Sequence, residues 1–345
     1  MTALPQDDPR TPGRPAVPVD AHVVANASNS IFGYFPQEHP PAVTVPSGSV
    51  VRIDALNQFG ISAPEGPVDF FASLGIDEDE LLPGVVEIAG NPRPDFASGH
   101  VLTGPVHVDG AEPGDVLVVE ILDISPRVPY GVNASGHGKG VLPDLLDSPE
   151  IRVLRIDEAG TGYDFGHGIT VPLRPFAGIT AVAPPDAAGD VSANPPDRWG
   201  GNMDIKDFTA GSVLRFPVFQ PGAQFWIGDT HGAQGHGEVN QTAVEHSMSF
   251  TARFSVEKRA TPFAWPRAEV AGHHVVMGAH VDLDIALEIA VQEAIDFLVE
   301  RSGEVLTVAD AYALCSVAVD FVVGEAVDGN KLIAGYVPHA LLAHF

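Results

Sequence analysis

The densest chemistry in this chain lies in GDTHGAQGHGEVNQTAVEH, residues 228 to 246, which sets Asp229, His231, His236, Glu238, Glu245 and His246 among small residues. Asp229 and His231 are two positions apart. In extended backbone they project to the same side, so both can reach one metal ion or one substrate. The glycines at 232, 235 and 237 permit unusual backbone angles and close approach to a ligand. Carboxylates and imidazoles together suit Zn²⁺ or a similar divalent ion with one position open to water. The bland alternative is a glycine-rich surface loop whose acids and histidines are merely solvated, since short Asp-x-His patterns arise by chance. Apolar segments on both sides favour a loop whose ends are anchored in a core.

Three other segments offer groups that can converge on this one. GGNMDIKDFTAGS carries Asn202 and Asp204, and Asp204 reads equally well as a turn or helix cap. GHVLTGPVHVDGAEPGD carries His100, Thr103, His107 and Asp109, and His100 reads equally well as a satisfied core histidine. VNASGHGKGVLP carries His137 and Lys139 in a mobile stretch without a phosphate-loop pattern.

These residues need a scaffold, and its signals are mostly those of strands. PAVTVPSGSVVRIDAL, residues 41 to 56, predicts two short strands about the turn Pro46-Ser47-Gly48. GDVLVVEILDIS, from Gly114 to Ser125, predicts a buried strand. SVLRFPVFQPGAQFWIGDTH predicts a hairpin, with strands Val213 to Phe219 and Gln224 to Ile227 about a turn from Gln220 to Ala223. In SMSFTARFSVEK, Met248, Phe250, Ala252, Phe254 and Val256 alternate with polar residues, the clearest strand pattern in the chain. Farther on, Leu287, Ala290, Val291, Ala294 and Leu298 take helical spacing, with Ser302-Gly303 as the stop. TVAD, Thr307 to Asp310, is a capping-box start for a second helix reaching about Val323. The fold expected is mainly β, a sandwich or barrel-like core, with a C-terminal helical layer. PPDAAGDVSANPPD, residues 184 to 197, divides a β-rich N-terminal part, residues 21 to 183, from a site-bearing C-terminal part, residues 184 to 345.

Composition narrows the partners. The 345 residues are 45% hydrophobic, enough for a large core, and Gly 36 with Pro 31 implies many turns. A net charge of -27 argues against nucleic acid and against an anionic membrane surface, and fits a neutral or cationic small ligand or a metal ion. Cys315 has no partner for a disulfide, which suits a reducing compartment. The first twenty residues lack the apolar core of a secretory signal and read as disordered. No apolar run is long enough to span a membrane. A cytoplasmic protein is expected.

The set LTGPV with GAEPGD, GVNASGHGKGVLP, and GGNMD…PV…GA…GD-x-H…QG-x-GE followed by TAVE resembles the acetamidase/formamidase family. HVVANASNSIFGYFPQEHPPAVTVPSGSVVRI resembles that family's N-terminal segment, and LTVADAYALCSVAVDFVVGEAVD its closing helix. The resemblance implies hydrolysis of small carboxamides with release of ammonia, a β-rich homo-oligomer, and a divalent metal, Zn²⁺ first and Ca²⁺ second. Carried over position by position, the pocket-lining residues are Asp204, Asp229, His231, Glu238 and Glu245, with His100 at a histidine-or-asparagine position. From these we expect Asp229, His231, Asp204 and His100 as metal ligands, Glu238 or Glu245 as general base, and Asn202 as a hydrogen-bond partner of the substrate amide. Asn57, Thr230, His236 and Asn240 depart from the family pattern. Hydrolysis of a cyclic amide or another C–N bond, and a binding protein without turnover, are the alternative readings.

Overall fold

The structure, a computed structural model, describes residues 17–258 and 263–345. The expectation for the first twenty residues therefore falls largely outside the described residues.

Two large sheets form a sandwich. The nine-stranded sheet runs in the order Ala21–Val24, Ser49–Asp54, Met248–Glu257, Val116–Pro126, Val213–Pro217, Arg267–Val270, His273–His280, Lys331–Pro338 and Asp320–Glu325. Its first pair is parallel and the others are antiparallel. The six-stranded sheet runs Gly200–Asn202, Phe176–Ala181, Phe225–His231, Val101–Asp109 and Ser30–Phe32, with Val43–Pro46 added alongside Val101–Asp109. The alternation read in residues 248 to 256 does what it predicts. Phe250, Ala252 and Phe254 turn inward and are fully buried. Phe225 of the facing sheet meets Phe254 edge-on at 5.1 Å and stacks on Phe250 at 6.5 Å. Such aromatic pairs bury large apolar area in a directional way.

A smaller four-stranded sheet, Ile169–Pro172, Gly162–Gly166, Glu150–Ile156 and Tyr130–Ser135, stands beside the sandwich. The helices Leu283–Arg301 and Val308–Ala318 cover the strands His273–His280 and Lys331–Pro338. Ala286, Ala290 and Ala294 are buried there. A side chain at Gly278 would strike the first of these helices, 2.5 Å from the Ala290 nitrogen, so small residues on both elements set the spacing. The Thr307–Asp310 capping box is present as expected. No helix among the described residues is long and apolar enough to cross a membrane.

Two expectations are corrected. Val213–Pro217 and Phe225–His231 do not pair as a hairpin: the first lies in the nine-stranded sheet against Val116–Glu120, the second in the six-stranded sheet. The link crosses the sandwich through Ala223 and Gln224, both at left-handed φ, so that Phe216 and Phe225 meet across the core at 6.0 Å. Two apolar strands joined by a turn look the same in sequence whether they pair or face each other. The second C-terminal helix, with the closing-helix likeness extended to Asp328, ends at Ala318, and Asp320–Glu325 is a strand. Its β-branched run Val319, Val322 and Val323 favours pairing with Lys331–Pro338 over further helix.

Candidate functional site

The opening stretch folds back on itself. Phe225–His231 continues as strand through Asp229 and Thr230, all buried. The chain then turns, and residues 243 to 247 return alongside. Gly232 N–H donates to the Val244 carbonyl, His246 N–H to the Thr230 carbonyl, and the Thr230 hydroxyl to the His246 carbonyl at 2.6 Å. Glu245 is thereby bridged to His231. Asp229 and His231 do come together, but not by the extended backbone that the spacing argument assumes: Asp229 sits at φ 49.

His231 is the centre, fully buried, with carboxylates at both ring nitrogens. Its Nε2 lies 3.2 Å from Asp229 Oδ2 and 3.3 Å from Glu245 Oε1. Its Nδ1 lies 3.6 Å from Asp204 Oδ1. Asp229, His231 and Glu245 form one group of donors within 4.8 Å of one another, and Asp204, His231 and Glu238 form a second. Gly178 on the neighbouring strand leaves room for both, because a Cβ there would sit 2.4 Å from Asp204 Oδ1 and 2.8 Å from His231 Cε1.

The two groups are held differently. Glu245 Oε2 accepts from Asn57 Nδ2 and Gln58 Nε2, each at 2.9 Å, and its Oε1 accepts from the Ala243 N–H at 3.0 Å. Gln58 Nε2 also donates to Asp229 Oδ1 at 2.8 Å. Asp204, by contrast, is fully buried with neither carboxyl oxygen hydrogen-bonded. Glu238 is buried and its carboxylate accepts no hydrogen bond among the described residues. Asp204, Asp229 and Glu238 account for three of the eight described non-glycine residues at left-handed φ. Such backbone costs energy and persists where surrounding structure imposes it.

The electrostatics follow the packing. Burial pushes the Asp204 carboxyl well above its ordinary range; His231 opposes this, and Asp229 and Asp328 add to it. Burial and the neighbouring Asp204 do the same to Glu238. Burial also raises Asp229, but the facing His231 and His100 outweigh it and leave that carboxyl below its usual value. Burial disfavours the charged His231 ring, yet Asp229 and Glu245 outweigh it and hold its pKa well above normal.

Of the other expected residues, His100 lies outside both donor groups. Its Nε2 is 3.7 Å from Asp229 Oδ2, and its Nδ1 is bonded to Ser98 Oγ at 2.7 Å. Asn202 is buried; its Nδ2 donates to Asp328 Oδ2 at 2.7 Å, and its Oδ1 has no partner. His246 belongs to the scaffold. Its Nε2–H donates to the Val128 carbonyl, its Nδ1 accepts from the Tyr163 hydroxyl, and burial lowers its pKa to about 4. Asn57 supports Glu245, whereas Asn240 pairs with Asn133 and His236 sits 3.8 Å from Asp207. Sequence reasoning missed Gln58, Gly178, Glu325 and Asp328. Gln58 stands next to Asn57, and that adjacency was the one signal available. Asp328 accepts from Asn202 and Gln241, and burial raises it to about 6. Burial next to Asp328 raises Glu325 to about 8.

Fold and site together define a β-sandwich protein whose His231 imidazole is ringed by buried carboxylates. The sequence profile of the acetamidase/formamidase family matches residues 90–194 and 186–343, and the chain belongs to that family. It is 34% identical to an acetamidase of Mycolicibacterium smegmatis over 42% of this chain and 50% of that protein. It is 29% identical to a formamidase of Methylophilus methylotrophus over 42% of this chain and 48% of that one. The chain thus spans about half the length of these curated relatives. A solved structure of a predicted acetamidase/formamidase from Thermoanaerobacter tengcongensis superposes with a TM-score of 0.77 at 28% identity, covering 94% of this chain and 97% of that one. An acetamidase structure from Bacillus halodurans gives 0.77 at 27% identity, covering 93% of this chain and 98% of that one.

Proposed function

We propose that this chain hydrolyses the C–N bond of a carboxamide to a carboxylate and ammonia, with a divalent cation held at His231. Family membership supports the reaction class. The observation that carries the cation is the donor set itself. Both His231 nitrogens and both Asp204 oxygens are buried without a geometrically sound hydrogen bond. Unpaired buried polar groups are costly, so a site built of them fits an ion that pairs them. The missing Cβ of Gly178 lets the donors Asp204 and His231 approach one another beside it. One imidazole nitrogen with several carboxylate oxygens suits Zn²⁺, and Ca²⁺ is the harder alternative.

Asp229, His231 and Glu245 are the first candidates to hold the ion, with Asp204 beside them and His100 orienting Asp229. When bound, such an ion supplies Lewis-acid polarisation of the amide carbonyl. The protein's own groups do the rest. Asn202 Oδ1, buried and unpaired, accepts from the substrate –NH₂ in this reading. The Glu238 carboxylate, unlike that of Glu245, accepts no hydrogen bond among the described residues, and Glu238 lines an open cavity, so it is the group able to move a proton. It takes the proton from the attacking water and returns it to the departing nitrogen, which leaves as ammonia. We expect a homo-oligomer, which light scattering checks.

Ammonia release from a panel of amides, with and without chelator, alongside elemental analysis of the purified protein, tests this reading. Stoichiometric metal and chelator-sensitive ammonia release are expected. Metal without turnover of any amide would instead make the chain a binding protein. Activity that survives complete removal of metal would sink the cation.

A further inference from the structure

Glu238 is largely buried. It forms part of the lining of a cavity of about 520 Å³ between the small four-stranded sheet and the returning loop. Leu154, Phe165 and Val171 wall it from the sheet, and Val239 and Val244 from the loop. The polar residues around it are mostly engaged. Asn240 donates to Asn133 at 3.0 Å, and Arg174 is ion-paired with Asp207. Gln234, also on the lining, donates to the Asp204 carbonyl through Nε2 at 2.8 Å and leaves its Oε1 unpaired. Glu245, by comparison, adjoins a space of only about 20 Å³. A larger recess of about 600 Å³ between His39, His107 and Trp226 touches none of the site residues.

Cavities of roughly 300–1,000 Å³ suit ligands of drug-like size. A molecule as small as acetamide leaves most of this one empty, and an empty apolar cavity gains nothing from substrate binding. We infer that the cavity beside Glu238 receives the apolar acyl chain of the substrate, so that the chain acts on primary carboxamides with a medium-length alkyl or an aryl group. This rests on the amide-hydrolase reading above. The apolar wall disfavours a charged tail. With Glu238 on the lining as the reacting end, the acyl chain would lie toward Phe165 and Val171.

The test is kcat/KM for ammonia release across formamide, acetamide, butanamide, hexanamide and phenylacetamide, with hexanamide binding followed in parallel by ligand-observed NMR. Each buried methylene is worth about 0.8 kcal/mol, or roughly fourfold, so hexanamide should exceed acetamide by on the order of a hundredfold. Val239→Trp, at an exposed position on the wall, should cut that ratio at least tenfold, and Val171→Phe is the second filling variant should the first misfold. Release from formamide or acetamide with no gain for longer chains would overturn the cavity assignment and leave amide hydrolysis standing. No ammonia from any amide would sink amide hydrolysis. The binding arm then decides the cavity: hexanamide must bind more tightly than acetamide and lose that advantage in Val239→Trp, or the inference fails too.

Discussion

The two sides of His231 are built on opposite principles. On the Nε2 side, Asn57, Gln58 and the Ala243 N–H hold Glu245, and Gln58 ties it to Asp229. On the Nδ1 side, Asp204 and Glu238 are buried, unbonded and at left-handed φ. A held carboxylate keeps its charge and its place. An unheld one destabilises the fold and is ready to take a cation or a proton. The contrast separates residues that fix geometry from residues that do chemistry, where residue type alone puts all four acids in one class.

The largest test of this contrast is Glu238→Gln. If Glu238 moves the proton, kcat should fall by about 10²–10⁴-fold while the fold and the metal on the Asp229–Glu245 side remain. Near-normal kcat would assign the proton elsewhere and erase the distinction.

Next come two changes of opposite sign. Gln58→Ala strips one donor from both Asp229 and Glu245, so metal affinity should drop about 10–100-fold and stability by about 1–3 kcal/mol. Asp204→Asn replaces a buried carboxyl that accepts no hydrogen bond and is disfavoured in its charged form, so the metal-free protein should melt at a higher temperature while losing metal affinity. Melting curves of stripped protein read both, and a lower midpoint for Asp204→Asn would contradict the account of that side.

Gly178→Ala should follow at about 1–3 kcal/mol, since its methyl has to displace Asp204 or His231. Metal occupancy should fall with it. A variant of unchanged stability and occupancy would show that the site has slack that the packing denies.

The last effect is a pH slope. Burial raises Glu325 from 4.5 to about 8, so the folded protein binds a proton that the unfolded chain releases. Between those values stability falls as pH rises. Glu325→Gln keeps the oxygen that accepts from the Val327 and Asp328 N–H groups and cannot ionise. Its melting advantage over the parent chain should grow from pH 5 to pH 8. A constant difference across that range would place the Glu325 pKa near its unfolded value.

Much of this was legible in the chain itself. Alternation announced Met248–Glu257 and a capping box announced Val308–Ala318, whereas Asp229 and His231 meet through a left-handed backbone that their i, i+2 spacing does not encode. These signals are local: each is a period or a cap written within a dozen residues. Tertiary structure alone decided which strands pair and which merely face each other, as Val213–Pro217 and Phe225–His231 do across the core. It alone brought Gln58 to Asp229 across 171 positions and Asp328 to Asn202 across 126. It also separated Glu238, which lines a cavity, from Glu245, which is bonded in place. No period or motif encodes such a meeting, because hydrogen-bond partners and cavities are fixed by where whole sheets pack, and that is a property of the assembled core rather than of any stretch of sequence.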